Sequence, residues 1–148
     1  MTPGIQAMIR DVERLWDEHT TALFDRRDVP AALARMSRDA VVRHLPSGEG
    51  GTGLDGVRAF YAERLVPTLP GSLRRVPVSR TVDQFRLAQE STWRFVHDRE
   101  MPWLLAGVEA TGRPVELLVV EIARVRQGRI AERRLLWDSA ELRTRLGG

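Results

Sequence analysis

The hydrophobic pattern changes period at mid-chain, and this limits the possible folds more than any other feature. Near the N-terminus Ile5, Met8, Ile9, Val12, Leu15, Trp16 and Leu23 recur at helical spacing, with His19 on the same face. After residue 75 the period is two. Residues 75–86 and 91–97 read as strands, and 115–125 and 129–137 more strongly so. One earlier strand, 40–45, is stopped by Pro46. Asp28 can cap a short second helix that tolerates Pro30 in its first turn. Thr52 and Asp55 have capping-box spacing before a helix through Phe60, Tyr61 and Leu65, ended by Pro67 and Pro70. Asp138 and Glu141 mark the start of a last helix that stops at Gly147. Helices first and long strands afterwards predict an α+β fold, with helices packed on one face of a curved antiparallel sheet. Such a sheet encloses one pocket. No linker or repeat interrupts the pattern, so residues 1–148 are expected to form one domain.

Composition removes several chemistries. The chain has no cysteine, hence no disulfide, thiolate metal site or cysteine nucleophile. It has no lysine either; its arginines alternate with acids, as in Asp25-Arg26-Arg27-Asp28 and Glu132-Arg133-Arg134, and the net charge is only +3. Interspersed charge reads as solvated surface rather than a nucleic-acid stripe. No apolar run approaches the ~20 residues that span a bilayer, and Met1-Thr2-Pro3-Gly4 opens no basic-then-apolar leader. A cytoplasmic protein is expected, without nucleic-acid or membrane partners. The three histidines are scattered, and no lysine-bearing phosphate loop or nucleophile elbow is present. Neither metal nor cofactor is expected.

The most apolar stretch, residues 117–123, carries one carboxylate, Glu121. A lone buried carboxylate must be paired, protonated or wet. Arg126-Gln127-Gly128 suits a three-residue hairpin loop. Counting outward places Glu121 opposite Arg133, Val119 opposite Leu135 and Leu117 opposite Trp137. A two-residue loop would place Glu121 opposite Arg134. Either register predicts a carboxylate–guanidinium pair across the strands, on an exposed sheet face or in a cavity.

The second half then resembles a known family. Val96-His97, Gly107-Val108-Glu109-Ala110-Thr111-Gly112-Arg113, the run from Arg124 to Glu132, Trp137-Asp138 and Leu146-Gly147 follow the motif order of SnoaL-like polyketide cyclases. The match covers residues 92–147; the first half agrees in element order. The resemblance implies the nuclear transport factor 2-like cone, usually a homodimer through the sheet. In such cyclases a His on the penultimate strand and an Asp on the last do the acid–base work. Their places here fall to Glu121 and Leu135. More distantly the chain is similar to limonene-epoxide hydrolase, where an Asp–Arg–Asp set with Asn and Tyr holds a water. His44 stands at that Asn, Val42 at the Tyr, His97 loosely at one acid and Leu135 at the other.

These readings give a candidate site. Glu121 is the expected general acid or base and Arg133 its orienting partner. His97 and His44 are the second proton-transfer groups, because imidazole titrates near neutrality. His97 shares a strand face with Trp93 and Phe95. Trp16, Tyr61, Phe95, Trp103, Val119, Leu135 and Trp137 are the expected substrate-binding wall, with Trp103 the lid. The expected ligand is a small apolar molecule. The expected activity is cyclisation, isomerisation or dehydration; a non-catalytic binding module and an epoxide hydrolase are the alternatives.

Overall fold

The sheet is built where the alternating pattern lies, and one face of it is covered by the helices. The computed structural model describes residues 4–147; Met1, Thr2 and Pro3 of the N-terminal stretch, and Gly148, lie outside them. Six strands are arranged in the order β2-β1-β6-β5-β4-β3. They are β1 (Met36–Leu45), β2 (Gly50–Thr52), β3 (Arg74–Val82), β4 (Arg86–Val96), β5 (Pro114–Arg126) and β6 (Arg129–Leu136). All neighbouring pairs are antiparallel except β1 with β6, which is parallel. The curved sheet is therefore mixed rather than wholly antiparallel.

Helix α1 (Ile5–Thr20) turns Val12, Trp16 and His19 inward and runs on into a π-helical turn, Thr21–Asp25, which buries Leu23 and Phe24. Arg80 of β3 fastens α1 to the sheet through Asp17 at 2.7 Å and Glu13 at 3.2 Å. Helix α2 (Val29–Leu33) is capped by Asp28, whose side chain accepts from the Ala31 N–H. Helix α3 (Gly53–Ala59) continues through a second π-helical turn, Phe60–Leu65, and ends in a 3-10 turn at Pro67. Thr52 stands at its start, but no capping box forms. The Thr52 side chain makes no cap bond, and Asp55 pairs with Arg58 instead. Short α4 (Pro102–Leu105) buries Trp103, Leu104 and Leu105. Helix α5 (Ser139–Leu146) is capped by Asp138 and closed by Gly147 at φ 72°, a conformation only glycine adopts freely. No described helix is long and apolar enough to cross a membrane.

β1 begins at Met36 rather than at residue 40, and two turns also differ from the sequence reading. The chain turns at residues 83–85, where the Asp83 carboxylate accepts from the Phe85 and Arg86 N–H groups at 2.7 Å each. β4 therefore runs unbroken through residues 87–91. The last hairpin also differs. Its loop is two residues, Gln127 and Gly128, both with positive φ (53° and 73°), the type I′ geometry. Counting from that loop alone would set Glu121 against Arg134. A bulge follows: Val125 pairs with Ile130, but Arg124 pairs with Glu132, leaving Ala131 unmatched. Glu121 consequently stands opposite Leu135, and Arg133 opposite Ala123. The bulge returns Arg133, Leu135 and Trp137 to the inner face with Glu121.

Candidate active site

One row of residues crosses the inner face of four neighbouring strands. His44 of β1 aligns with Leu135 of β6, Leu135 with Glu121 of β5, and Glu121 with Gln89 of β4. His44, Leu135 and Glu121 are fully buried, and Gln89 nearly so. Strand spacing puts His44 and Glu121 roughly 10 Å apart, with Leu135 between them. Gln89 is occupied: its carbonyl takes Arg80, and its amide donates to Ser91.

Glu121 and Arg133 form the ion pair that the sequence predicts, although not by facing each other. Arg133 sits two residues before Leu135 on the same face, a diagonal neighbour of Glu121. Its Nη2 donates to Glu121 Oε2 at 2.6 Å, and both side chains are completely buried. The Arg133 guanidinium lies 5.1 Å from the Phe24 ring and 5.8 Å from the Trp16 ring. Arg75 approaches the same Phe24 from β3, at 4.6 Å. Both π-helical turns thus serve the pair. One presents Phe24 to Arg133; the other presents Tyr61, whose hydroxyl lies beside the same guanidinium. Extra-residue turns of this kind recur at functional sites.

His44 occupies an aromatic box. The rings of Phe60, Trp103 and Trp137 meet it edge-on at 5.0, 5.3 and 6.3 Å between centroids. Burial, reinforced by the Arg133 charge, holds its pKa well below the ordinary imidazole value. His44 is therefore neutral, with one donor and one acceptor nitrogen. Neither has a partner among the described residues. Trp103 closes the box: its indole N–H donates to Thr68 at 2.7 Å, and its carbonyl accepts from Ser47 at 2.8 Å.

His19 is also inside. Its Nδ1 meets the Ala32 carbonyl at 3.1 Å, which assigns the proton to Nδ1; Nε2 then faces the Tyr61 hydroxyl at 3.5 Å. Burial, then Arg133, lowers the His19 pKa to about 3, and burial raises that of Tyr61. His19 and Tyr61 therefore face Arg133 as uncharged groups near neutrality.

The structure does not bring His97 to this centre. It follows β4 eight residues beyond Gln89, about 26 Å along an extended strand. Its Nδ1 contacts the Thr111 hydroxyl at 3.0 Å and accepts the Thr111 N–H at 3.2 Å. Its main chain pairs with Thr111, Gly112 and Arg113. This is a clasp for the loop before β5. Phe95 is buried at the same end, while Val119 lies on the inner face two residues before Glu121. Trp16, Tyr61, Trp103 and Trp137 gather with Arg133 or His44. The sequence reading missed Phe24 and Arg75. Phe24 was hidden by a π turn that breaks the 3.6-residue period, and Arg75 by its resemblance to a solvated strand arginine.

Glu121, Arg133, His44, Tyr61 and Trp103 have no exposed surface, so the centre is shut from solvent. The main surface clefts lie against α1, between α2 and α3, and along β4, β5 and α5, and Glu121, Arg133 and His44 do not line them. No three His, Asp or Glu side chains gather as a metal cage among the described residues.

The chain's relatives agree with this architecture. An NTF2-like protein of unknown function from Burkholderia pseudomallei superposes with a TM-score of 0.72 at 24% identity, over 93% of this chain and 98% of that one. A proposed SnoaL-like polyketide cyclase from Jannaschia gives 0.72 at 19% identity, over 100% and 96%. TerC, crystallised with polyporic acid, gives 0.67 at 19% identity, over 93% and 98%. At these identities the likeness is one of fold. No curated protein sequence matches the chain. The SnoaL-like domain profile matches residues 16–133, which include His44, Gln89 and the Glu121–Arg133 pair, and the chain belongs to that family.

Proposed function

We propose that the protein is a cofactor-independent acid–base enzyme acting on a small, largely apolar metabolite of the polyketide kind. The reaction is proton transfer beside a carbonyl, leading to cyclisation, isomerisation or dehydration. The observation that carries this reading is Glu121: Arg133 holds Oε2, while Oε1 is buried and has no partner among the described residues. A carboxylate oriented through one oxygen and free at the other can take a proton from carbon. Arg133 Nε and Nη1, also unpartnered, can then stabilise the oxygen that gains charge as the carbon–hydrogen bond breaks. His44, neutral and about 10 Å away across Leu135, can return the proton at the far side of a ring-sized substrate. Trp16, Tyr61, Trp103 and Trp137 supply the apolar wall. His97 has no part in the proton transfer on this reading.

The test is hydrogen–deuterium exchange at carbons next to carbonyls, followed by NMR over a panel of aryl ketones and 1,3-diketones. Glu121→Gln should bind the responsive compound as before and lose about 10²–10⁴-fold in exchange rate. A variant that exchanges normally, or a wild type that binds without exchanging, favours a non-catalytic binding module. Leu135 supports that second reading, because it stands where the family's cyclases carry their acid. Epoxide hydrolysis has less support, since the inner row holds one carboxylate and that chemistry uses two. A homodimer through the outer sheet face would cover the exposed Val76, Val78 and Leu118.

A further inference from the structure

The sealed centre has two covers of unequal hold. Helix α1 is one: His19 is bonded to the Ala32 carbonyl at 3.1 Å, and Arg80 pairs with Asp17 and Glu13. The other is the segment between β4 and β5, which brings Trp103 against His44 at 5.3 Å between ring centroids. That segment is an Ω-loop with a tied neck. The His97 N–H donates to the Arg113 carbonyl at 2.9 Å, and the His97 carbonyl accepts from the Thr111 and Gly112 N–H groups at 3.0 and 2.8 Å. The body, residues 98–110, is bonded to itself. The Leu104 and Leu105 N–H groups donate to the Met101 carbonyl, the Gly107 N–H donates to the Glu100 carboxylate, and Arg99 pairs with Asp98. Among the described residues, three hydrogen bonds tie this body to the fold beyond its neck. The Trp103 indole N–H donates to the Thr68 hydroxyl at 2.7 Å, the Trp103 carbonyl accepts from the Ser47 hydroxyl at 2.8 Å, and the Ala106 carbonyl accepts from Arg143 of α5 at 3.2 Å. Its buried side chains, Met101, Trp103, Leu104 and Leu105, are close in sequence and withdraw together. A cover held in this way opens locally at a free energy well below that of global unfolding.

We propose that residues 98–110 are the door to this centre: the body swings as a unit on the His97–Thr111 neck, and Thr68 and Ser47 are the latch that holds Trp103 against His44. The proposed function enters only for what passes through the door. Opening removes one wall of the His44 box and uncovers the row behind it, in which Leu135 neighbours His44 on the adjoining strand. Gly107 sets the closed form. Its φ is 80°, and a Cβ there would meet nothing, so an added methyl strains the closed backbone alone. The His97 clasp, which the proton transfer does not use, is the fixed end about which the body moves.

The chain has no cysteine, so Leu135→Cys supplies a single thiol inside the centre, and its reaction with an aromatic disulfide reagent times the opening. In that background Thr68→Val and Ser47→Ala should each speed labelling about tenfold, the effect of losing one hydrogen bond from the closed state alone. Gly107→Ala should act in the same direction. Arg80→Met, which loosens α1, should leave the rate within about twofold. Backbone deuterium uptake in the cysteine-free chain is the second readout and does not depend on how Leu135→Cys folds. There Thr68→Val should speed uptake at residues 101–107 by a similar factor and leave β5 and β6 unchanged. Labelling that rises with Arg80→Met and not with the latch variants overturns the proposal. So does labelling that rises only in step with uptake throughout β5 and β6. Neither readout needs a substrate. An opening door with no exchange at substrate carbons sinks the enzyme reading alone, and exchange at substrate carbons with a loop as slow as β5 in every latch variant sinks the door alone.

Discussion

Removing Arg133 while leaving Glu121 tests whether the buried pair exists for stability or for chemistry. In Arg133→Met the apolar stem is kept and the charge removed, so Glu121 stays fully buried without the 2.6 Å donor it has now. Stranding a buried charge in this way costs about 3–5 kcal/mol, against a total domain stability of about 5–15 kcal/mol. With a urea slope near 2 kcal/mol per molar, the unfolding midpoint should fall by about 2 M. Trp16, Trp93 and Trp103 are fully buried, so intrinsic fluorescence reports the transition. The decisive variant is the double, Glu121→Leu with Arg133→Met. Leu at 121 would face Leu135 across the ladder and pack among Val119 and Ala123, and the one charge that loses a neighbour is Arg75. Arg75 keeps Asp25 and the Thr20 carbonyl. The double variant should regain wild-type stability or exceed it by about 1–4 kcal/mol, the outcome when well-packed apolar groups replace a buried pair. Recovery would mean that the ion pair costs the fold stability and is held for what it does to a substrate. A double variant no more stable than Arg133→Met would refute this reasoning and make the pair structural.

Three further outcomes follow from the same geometry. The unfolded chain protonates His19 near 6.5 and the folded chain near 3, so stability is lost as pH falls below 6.5. The loss from His19 alone is about 2 kcal/mol at pH 5, with His44 acting in the same direction; unfolding free energies across pH 4–8 should show the slope, and His19→Gln should flatten it. Deleting Ala131 removes the bulge yet leaves Ile130 opposite Val125 and Glu132 opposite Arg124, so Arg133 and Leu135 should stay on the inner face and the cost should be below about 3 kcal/mol; a deletion variant that no longer unfolds cooperatively in urea would mean that the bulge holds more than the count of residues. Trp103→Ala should cost about 3–5 kcal/mol and expose the His44 box, read as new binding of a hydrophobic dye and faster deuterium uptake at residues 44–47.

The fold was largely legible because its elements announce themselves through capping and period. Asp28 and Asp138 cap the helices they were expected to cap, and the strongest alternation produced β5 and β6. What escaped reading is local geometry that violates period. The β4 inner face carries Gln89 and Ser91 among Leu87, Trp93 and Phe95, so polar residues that are buried and satisfied looked like a break between two strands. The signal that could have corrected it is Asp83, whose side chain was free to cap the turn. The π turns at Thr21–Asp25 and Phe60–Leu65 each insert a residue, which no helical wheel anticipates. The Glu121–Arg133 pairing was expected, and it formed although the register was misread. Both alternatives counted from a regular hairpin, whereas Ala131 bulges out of the pairing, and with Ala131 present only the bulge keeps Arg133 on the face of Glu121. His97 shows the opposite failure. Its strand face was read correctly, but parity says nothing of position along a strand, and eight residues separate it from the row that matters.

Arg133 gives the interior a coupling that no single distance displays. It offsets the charge of Glu121, and the same field helps hold His19 and His44 neutral. Removing it should therefore do more than loosen an ion pair. In the Glu121→Leu, Arg133→Met double variant both charges vanish, burial remains, and the pKa of His44 should rise toward the ordinary value while staying below it, because burial is the larger cause and the Arg133 field the smaller. Imidazole carbon–proton shifts followed by NMR against pH would display this directly. His19 is the internal control. Its Nδ1 is held by the Ala32 carbonyl in either variant, so it should move in the same direction from about 3 but remain protonated only in acid. If the two histidines titrate unchanged in the double variant, Arg133 does not reach them electrostatically. The neutral state of His44, on which the proton-transfer role proposed for it depends, would then belong to the aromatic box alone.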